Sequence, residues 1–208
     1  LYGMEEKCNI LENIIHVDID AEHYLCTGQW QNRLIEVYEN KNGIYVNLDS
    51  EVYILDESQY INIPEFNGKY ANILRLSFNE AMVNITKTGP KPNFITYDKP
   101  FYRDAAYIGM LCKETENLSQ ITPWINNMTE IYDLQRGSQI KEPDNLGQVL
   151  YLQSLLIEPN EALIEEVIEE AFRIRVEKDN GWMLTGIMDG EEHPNYTTGW
   201  LKFGLESL

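Results

Sequence analysis

Cysteine is scarce. Cys8, Cys26 and Cys112 are odd in number and show no Cys-x-x-Cys spacing, which excludes a zinc ribbon and argues against a disulfide framework. Reduced, partly buried thiols of a cytosolic protein are the expectation. Basic residues are scarce as well, 16 against 34 acidic ones, for a formal net charge of −18. A surface of that sign repels phosphate backbones and anionic headgroups, so neither nucleic acid nor a membrane is an expected partner. The plainer consequence of the charge is solubility. No apolar run approaches the roughly 18 residues needed to span a bilayer. Leu1–Met4 is not a basic segment leading into an apolar one, so no signal peptide is visible and the expected location is cytoplasmic, with a first residue Leu suggesting a processed start. There is no Gly-x-Ser-x-Gly, no cysteine in a catalytic setting and no phosphate-cradling glycine loop, so acyl transfer and nucleotide chemistry have no support. No cofactor is implied.

What is present describes a folded chain. With 208 residues, 43% of them hydrophobic, it fits one large domain or two small ones. Residues 4–15 place Met4, Cys8, Leu11, Ile14 and Ile15 at helical spacing. His16 to His23 then alternates polar with apolar, putting His16, Asp18, Asp20 and Glu22 on one strand face. A bound cation would relieve that crowding and so would water, and the cluster matches no metal-ligand spacing. From Arg33 the pattern is β-rich. Arg33–Tyr38 and Ile44–Leu48 flank a turn over Glu39–Gly43, and Val52–Leu55 and Tyr60–Ile63 read as further strands stopped by Pro64. Ile73–Ile85 fits strand or helix. The tyrosines Tyr38, Tyr45, Tyr53 and Tyr60 read as packing residues that could also stack on sugars.

Thr88–Pro92 is the sharpest break, and beyond it the period becomes helical. Helices are expected over Phe101–Cys112 and Ile121–Ile131, the second tolerating Pro123 in its first turn. A loop follows over Tyr132–Lys141. Pro143 opens a helix carrying Leu146, Val149, Leu150, Leu152, Gln153 and Leu156, which ends at Pro159-Asn160. In the next, Ala162, Leu163, Val167, Ile168, Ala171 and Phe172 form the apolar stripe, with Glu161, Glu165, Glu166, Glu169 and Glu170 facing water. A turn over Asp179–Gly181, a strand over Trp182–Thr185 and a last helix over Tyr196–Leu205 complete the chain. The fold class is therefore α+β: a β-rich part over residues 1–90, then helical hairpins over 91–208, as two parts or one continuous domain.

Two polar clusters stand at helix mouths, Tyr102-Arg103-Asp104 and Glu142-Pro143-Asp144-Asn145. Arg103 beside Asp104 offers a donor fork next to an acceptor, which suits vicinal hydroxyls. Asn145 and Gln148 add amides, and Trp124, Trp182 and Trp200 could line a cleft or sit in the core. Glu142 and Asp144 could act as acid and base if the fold sets them about 6.5–9.5 Å apart, as inverting glycoside hydrolysis needs. The competing reading makes Asp104 and Asp144 helix caps and pairs Arg103 with a neighbouring acid. Neither reading calls for a metal.

Phe101-Tyr-Arg-Asp-Ala-Ala106 resembles the aromatic-Arg-Asp-Ala segment of six-hairpin (α/α)-toroid glycosidases, glucoamylase-like enzymes among them, and Glu142-Pro-Asp-Asn-Leu-Gly-Gln148 resembles a following acidic helix mouth in that superfamily. The resemblance covers roughly residues 92–156, with a weaker echo over Tyr196–Leu205. It implies that the hairpins over 91–208 form part of an (α/α)6 toroid. It also implies a carbohydrate partner, with Arg103 and Asp104 on the nonreducing sugar and Glu142 as the acid of the later loop; the expected site adds Tyr102, Asn145, Gln148 and Trp124 around the sugar and Asp144 as the other candidate acid. A complete toroid needs twelve helices, so a partial or divergent member is implied, with the tryptophan-rich acid loop absent. Asp189, Glu191 and Glu192 are candidates for a second carboxylate. A non-catalytic sugar- or protein-binding module and a plain structural domain are the alternatives.

Overall fold

The computed structural model describes residues 13–19, 24–40, 43–49, 51–54, 61–93, 96–134, 140–178, 181–188 and 191–208. Five strands, β1 (Asn13–Ile19), β2 (Tyr24–Trp30), β3 (Arg33–Asn40), β4 (Gly43–Leu48) and β5 (Glu51–Ile54), form one antiparallel sheet in chain order. β2 and β3 join through Gln31 and Asn32, at φ 52° and 60°, the left-handed pair whose twist matches the strands. The β3–β4 hairpin forms as expected, but Gly43 lies opposite Asn40, so it pairs at the strand start. Tyr38 and Tyr45 face each other across that hairpin and stack at 4.9 Å, a packing role. The side chains of Tyr53 and Tyr60 lie outside the described residues.

Asn13–Ile15, expected to end a helix, belongs to β1; the rest of that expected helix lies outside the described residues. His16 and Asp18 are exposed on β1, while Asp20, Glu22 and His23 fall outside the description. Tyr60–Ile63 is not a strand as far as it is described: Asn62 donates its backbone N–H to Asn117 Oδ1 at 2.7 Å and its amide to the Thr115 carbonyl at 2.9 Å. Side-chain amides there take the place of a ladder.

The ambiguous segment is a helix, α1 (Ala71–Val83). Its buried residues Ala71, Arg75, Phe78 and Met82 keep helical spacing, but one of them is an arginine, which blurred the apolar stripe. Arg75 is fully buried and donates to Glu39 Oε2 on β3 at 3.0 Å, joining helix to sheet. The break at Thr88–Pro92 also carries regular structure, a small hairpin of β6 (Ile85–Thr86) and β7 (Gly89–Pro90). Pro90 is tolerated because such a hairpin is all edge. Gly89 is needed there: at φ +113° it lies so close to Trp124 that a Cβ would fall 2.5 Å from the indole.

The second half contains α2 (Tyr102–Glu114), a 3-10 turn (Leu118–Gln120), α3 (Thr122–Ile125), α4 (Asp144–Gln153), α5 (Glu161–Ile174) and α6 (Pro194–Ser207). Between the last two stand the hairpins β8 (Arg175–Lys178) with β9 (Gly181–Leu184), and β10 (Ile187–Met188) with β11 (Glu191–Glu192). The chain is thus α+β, an antiparallel sheet followed by helices, although α1 lies within the first ninety residues and two hairpins lie within the helical part. The expected helix Ile121–Ile131 shrinks to α3. Ile121, Ile125, Met128 and Ile131 are all buried, so the apolar spacing reports burial correctly and backbone incorrectly. Asn127 ends the helix by donating its amide to the Pro123 carbonyl at 2.7 Å.

α4 is the centre of the core, with every residue from Asp144 to Gln153 buried. It packs against α2, α5 and α6. At the α4–α6 crossing, a Cβ on Gly147 would fall 2.1 Å from the Trp200 carbonyl carbon, and one on Gly204 would fall 2.4 Å from the Gly147 carbonyl oxygen. Leu156 lies beyond the helix end, in a turn. On α5, Asn160 caps the first turn by accepting from the Leu163 N–H at 3.2 Å. Leu163, Val167 and Ala171 are buried as expected, whereas Ala162 and Phe172 are exposed because the covered stripe is narrow. Among the described residues no helix is long and apolar enough to cross a membrane.

Candidate functional site

The mouths of α2 and α4 open side by side, and one guanidinium joins them. Arg103 Nε donates to Asp144 Oδ2 at 3.0 Å, and its Nη2 donates to Glu142 Oε2 at 3.0 Å. The arginine side chain is 25% exposed, whereas Glu142 is 6% and Asp144 0% exposed. Arg103 is therefore the accessible member of the cluster and the acids lie behind it. Asp144 also accepts from Gln148 Nε2 at 2.7 Å, and Gln148 Oε1 accepts from Asn145 Nδ2 at 3.0 Å. These two residues follow Asp144 on the first turns of α4, so helix periodicity alone brings the three polar side chains together.

Asp133, absent from the sequence reading, closes the network. Its Oδ2 accepts from the Tyr102 N–H at 2.8 Å, and its own N–H donates to Asn145 Oδ1 at 3.1 Å. An orphan donor at the start of α2 is thus satisfied by a residue from the segment between α3 and α4. Lys99 donates its ammonium to the carbonyls of Asp133 and Leu134. The Oδ1 atoms of Asp133 and Asp144 are both buried without a hydrogen-bond partner among the described residues. Burial pushes the Asp133 carboxyl up, and the Asp144 charge adds to that; the Tyr102 N–H, Lys99 and Arg103 pull the other way. Asp104 is pushed up by burial as well, against its own backbone N–H and the Arg103 charge.

Of the expected site residues, Arg103, Glu142, Asp144, Asn145 and Gln148 are brought into one network. Neither helix start shows a side-chain cap bond from its own N-cap residue: Asp104 lies within the first turn of α2, and Asp144 accepts from Arg103 and Gln148. Tyr102 is buried, with its hydroxyl donating to the Glu130 carbonyl at 2.7 Å. Trp124 packs edge-on to Tyr102 at 6.3 Å and against Gly89. Asp189 lies outside the described residues, and Glu191 and Glu192 are exposed on β11. That hairpin follows Gly186, whose Cβ position lies 3.2 Å from Pro143 at the mouth of α4.

Two further features border the network. A cavity of about 310 Å³ lies between the Ile131–Leu134 segment and α5, lined by Tyr132, Lys141, Glu166, Glu169, Glu170 and Arg173 among others, and by none of the expected site residues. Tyr196 on α6 stands near enough to Arg103 to feel its charge, and it bonds both Trp200 and Tyr107. No group of His, Cys, Asp and Glu among the described residues is placed to hold a metal ion. The Cys112 thiol, fully buried, is pushed up to about 12, so it is not a nucleophile. Chemically, both Glu142 and Asp144 act here as acceptors, and one guanidinium holds them side by side.

Comparison with protein-family models, with curated proteins and with solved structures gives no match to this chain.

Proposed function

We propose that this chain is a carbohydrate-active protein that binds a saccharide where α2 and α4 open together. The observation that carries the reading is the fork of Arg103 across Glu142 and Asp144. It sets a partly exposed guanidinium in front of two buried carboxylates, a fixed cation to which vicinal sugar hydroxyls can present their oxygens. Asn145 and Gln148 hold Asp144 in place, and Asp133 fixes the mouth of α2. The helical half is proposed as part of an (α/α)6 toroid, a reading supported by a central helix buried along its length with its polar residues gathered at its mouth. Nucleic acid is not the proposed partner, given the net charge of −18. The cytosol is the proposed compartment, consistent with the buried free thiols Cys26 and Cys112.

Hydrolysis of a glycosidic bond, of the inverting type, is a second reading of the same site. The placement of two carboxylates side by side at one helix mouth favours it, and whichever serves as general acid must keep its proton toward neutrality. Glu142, the acid implied by the resemblance, would have to release Arg103 before it could protonate a leaving oxygen.

A glycan array and a chromogenic glycoside panel, run in parallel on wild type and Glu142→Gln, test both readings. Retention of glycans without turnover supports the binding protein. Turnover that is lost in the variant while binding persists supports the hydrolase. No retention and no turnover by wild type would sink the proposal.

A further inference from the structure

The face of α2 that carries Arg103 continues one turn on to Tyr107, an i,i+4 neighbour on the same side. Tyr107 is 53% exposed, yet it is braced from behind. Its ring meets Trp200 edge-on at 5.6 Å, and Tyr196 meets the same indole at 6.4 Å. The hydroxyls are wired as well: Tyr196 is hydrogen-bonded to both Trp200 and Tyr107. An indole N–H can only donate, so Trp200 gives to Tyr196, and either hydroxyl of the Tyr196–Tyr107 pair can be the donor between them. An exposed ring held at a fixed angle, a hydroxyl at its tip and a guanidinium one turn away make a built surface.

We propose that Tyr107 is a stacking subsite for a pyranose ring. The tyrosine ring carries the C–H face of one sugar unit, its hydroxyl shares a hydrogen bond with a hydroxyl of the adjoining unit, and that unit's other hydroxyls reach Arg103. This assignment rests on the carbohydrate reading above and adds to it the substrate class, a pyranoside of at least two units. The rigidity matters for affinity, because a ring already fixed by Trp200 and Tyr196 loses little rotamer freedom on binding. A cationic peptide would also find an aromatic face here, and the test separates it from a saccharide.

The test is calorimetric titration of short gluco- and manno-oligosaccharides, and separately of a tetra-arginine peptide, into wild type, Tyr107→Ala, Tyr107→Phe and Glu142→Gln. Tyr107→Phe keeps the ring on Trp200 and should keep the wild-type melting temperature, while Tyr107→Ala loses that contact and should melt slightly lower yet stay folded at the titration temperature. The expected result is a Kd about tenfold weaker for Tyr107→Ala, with Tyr107→Phe losing only about threefold because it keeps the ring. Wild-type affinity in Tyr107→Ala, with saccharide binding by wild type, would overturn the subsite and leave the carbohydrate reading standing. Absence of saccharide binding by wild type would overturn both. Peptide binding that depends on Tyr107, in place of saccharide binding, would overturn the pyranose assignment.

Discussion

Asp133 shows how much one side chain off the helical pattern can decide. It caps the Tyr102 N–H, receives the polar end of Asn145 and leaves its Oδ1 buried without a partner among the described residues. Because burial raises its folded value above that of the unfolded chain, the native state holds its proton longer. Stability from this group is therefore full below the ordinary aspartate range and is lost as pH rises through the raised value. Asp133→Asn keeps an acceptor for Tyr102 and removes the titration. Melting curves recorded from acid to neutral pH should show wild type losing ground to the variant as pH rises; parallel curves would show that Asp133 does not titrate this way. Arg103, Asp104, Glu142 and Asp144 were legible as polar residues at helix mouths. Asp133 and Tyr107 were not, since one lies in a segment that reads as loop and the other reads as an ordinary surface tyrosine.

At the scale of elements, the α4–α6 crossing is the tightest joint in the helical half. Gly147 and Gly204 admit one backbone against the other, and a Cβ on either would overlap main-chain atoms. Gly147→Ala should therefore cost more than the usual 1–3 kcal/mol of overpacking, because main chain cannot swing aside as a side chain can. Urea unfolding would measure it, and a loss of under about 1 kcal/mol would mean that the helices part easily. Gly181→Ala, where nothing lies within 4 Å of the added methyl, serves as the control. Helices with one apolar stripe and a clear start, α2, α4 and α5, were read correctly from spacing. The segment after Ile125 was not, because buried residues recur there every three or four positions without a helical backbone.

Across the whole molecule, sheet and helices are joined by a charged contact, Arg75 with Glu39. Removing one member of such a buried pair leaves the other uncompensated, at a cost of about 3–5 kcal/mol. Glu39→Ala should show that loss in chemical unfolding, whereas replacing both residues together with apolar ones should recover much of it. If Glu39→Ala unfolds at the wild-type denaturant concentration, the pair does not hold the sheet to α1.

The sequence by itself determined the α+β class, the β3–β4 hairpin, most helix positions and the polar residues at the mouths of α2 and α4, because each of these follows from local periodicity, turn chemistry and charge. Tertiary structure alone decided that one arginine from α2 holds two acids at α4 and that Asp133 caps a helix it does not belong to. It also decided that Trp200 and Tyr196 turn Tyr107 into a fixed ring. The physical reason is distance along the chain: Arg103 meets residues some forty positions away, and no periodic pattern encodes which buried donor will find which acceptor.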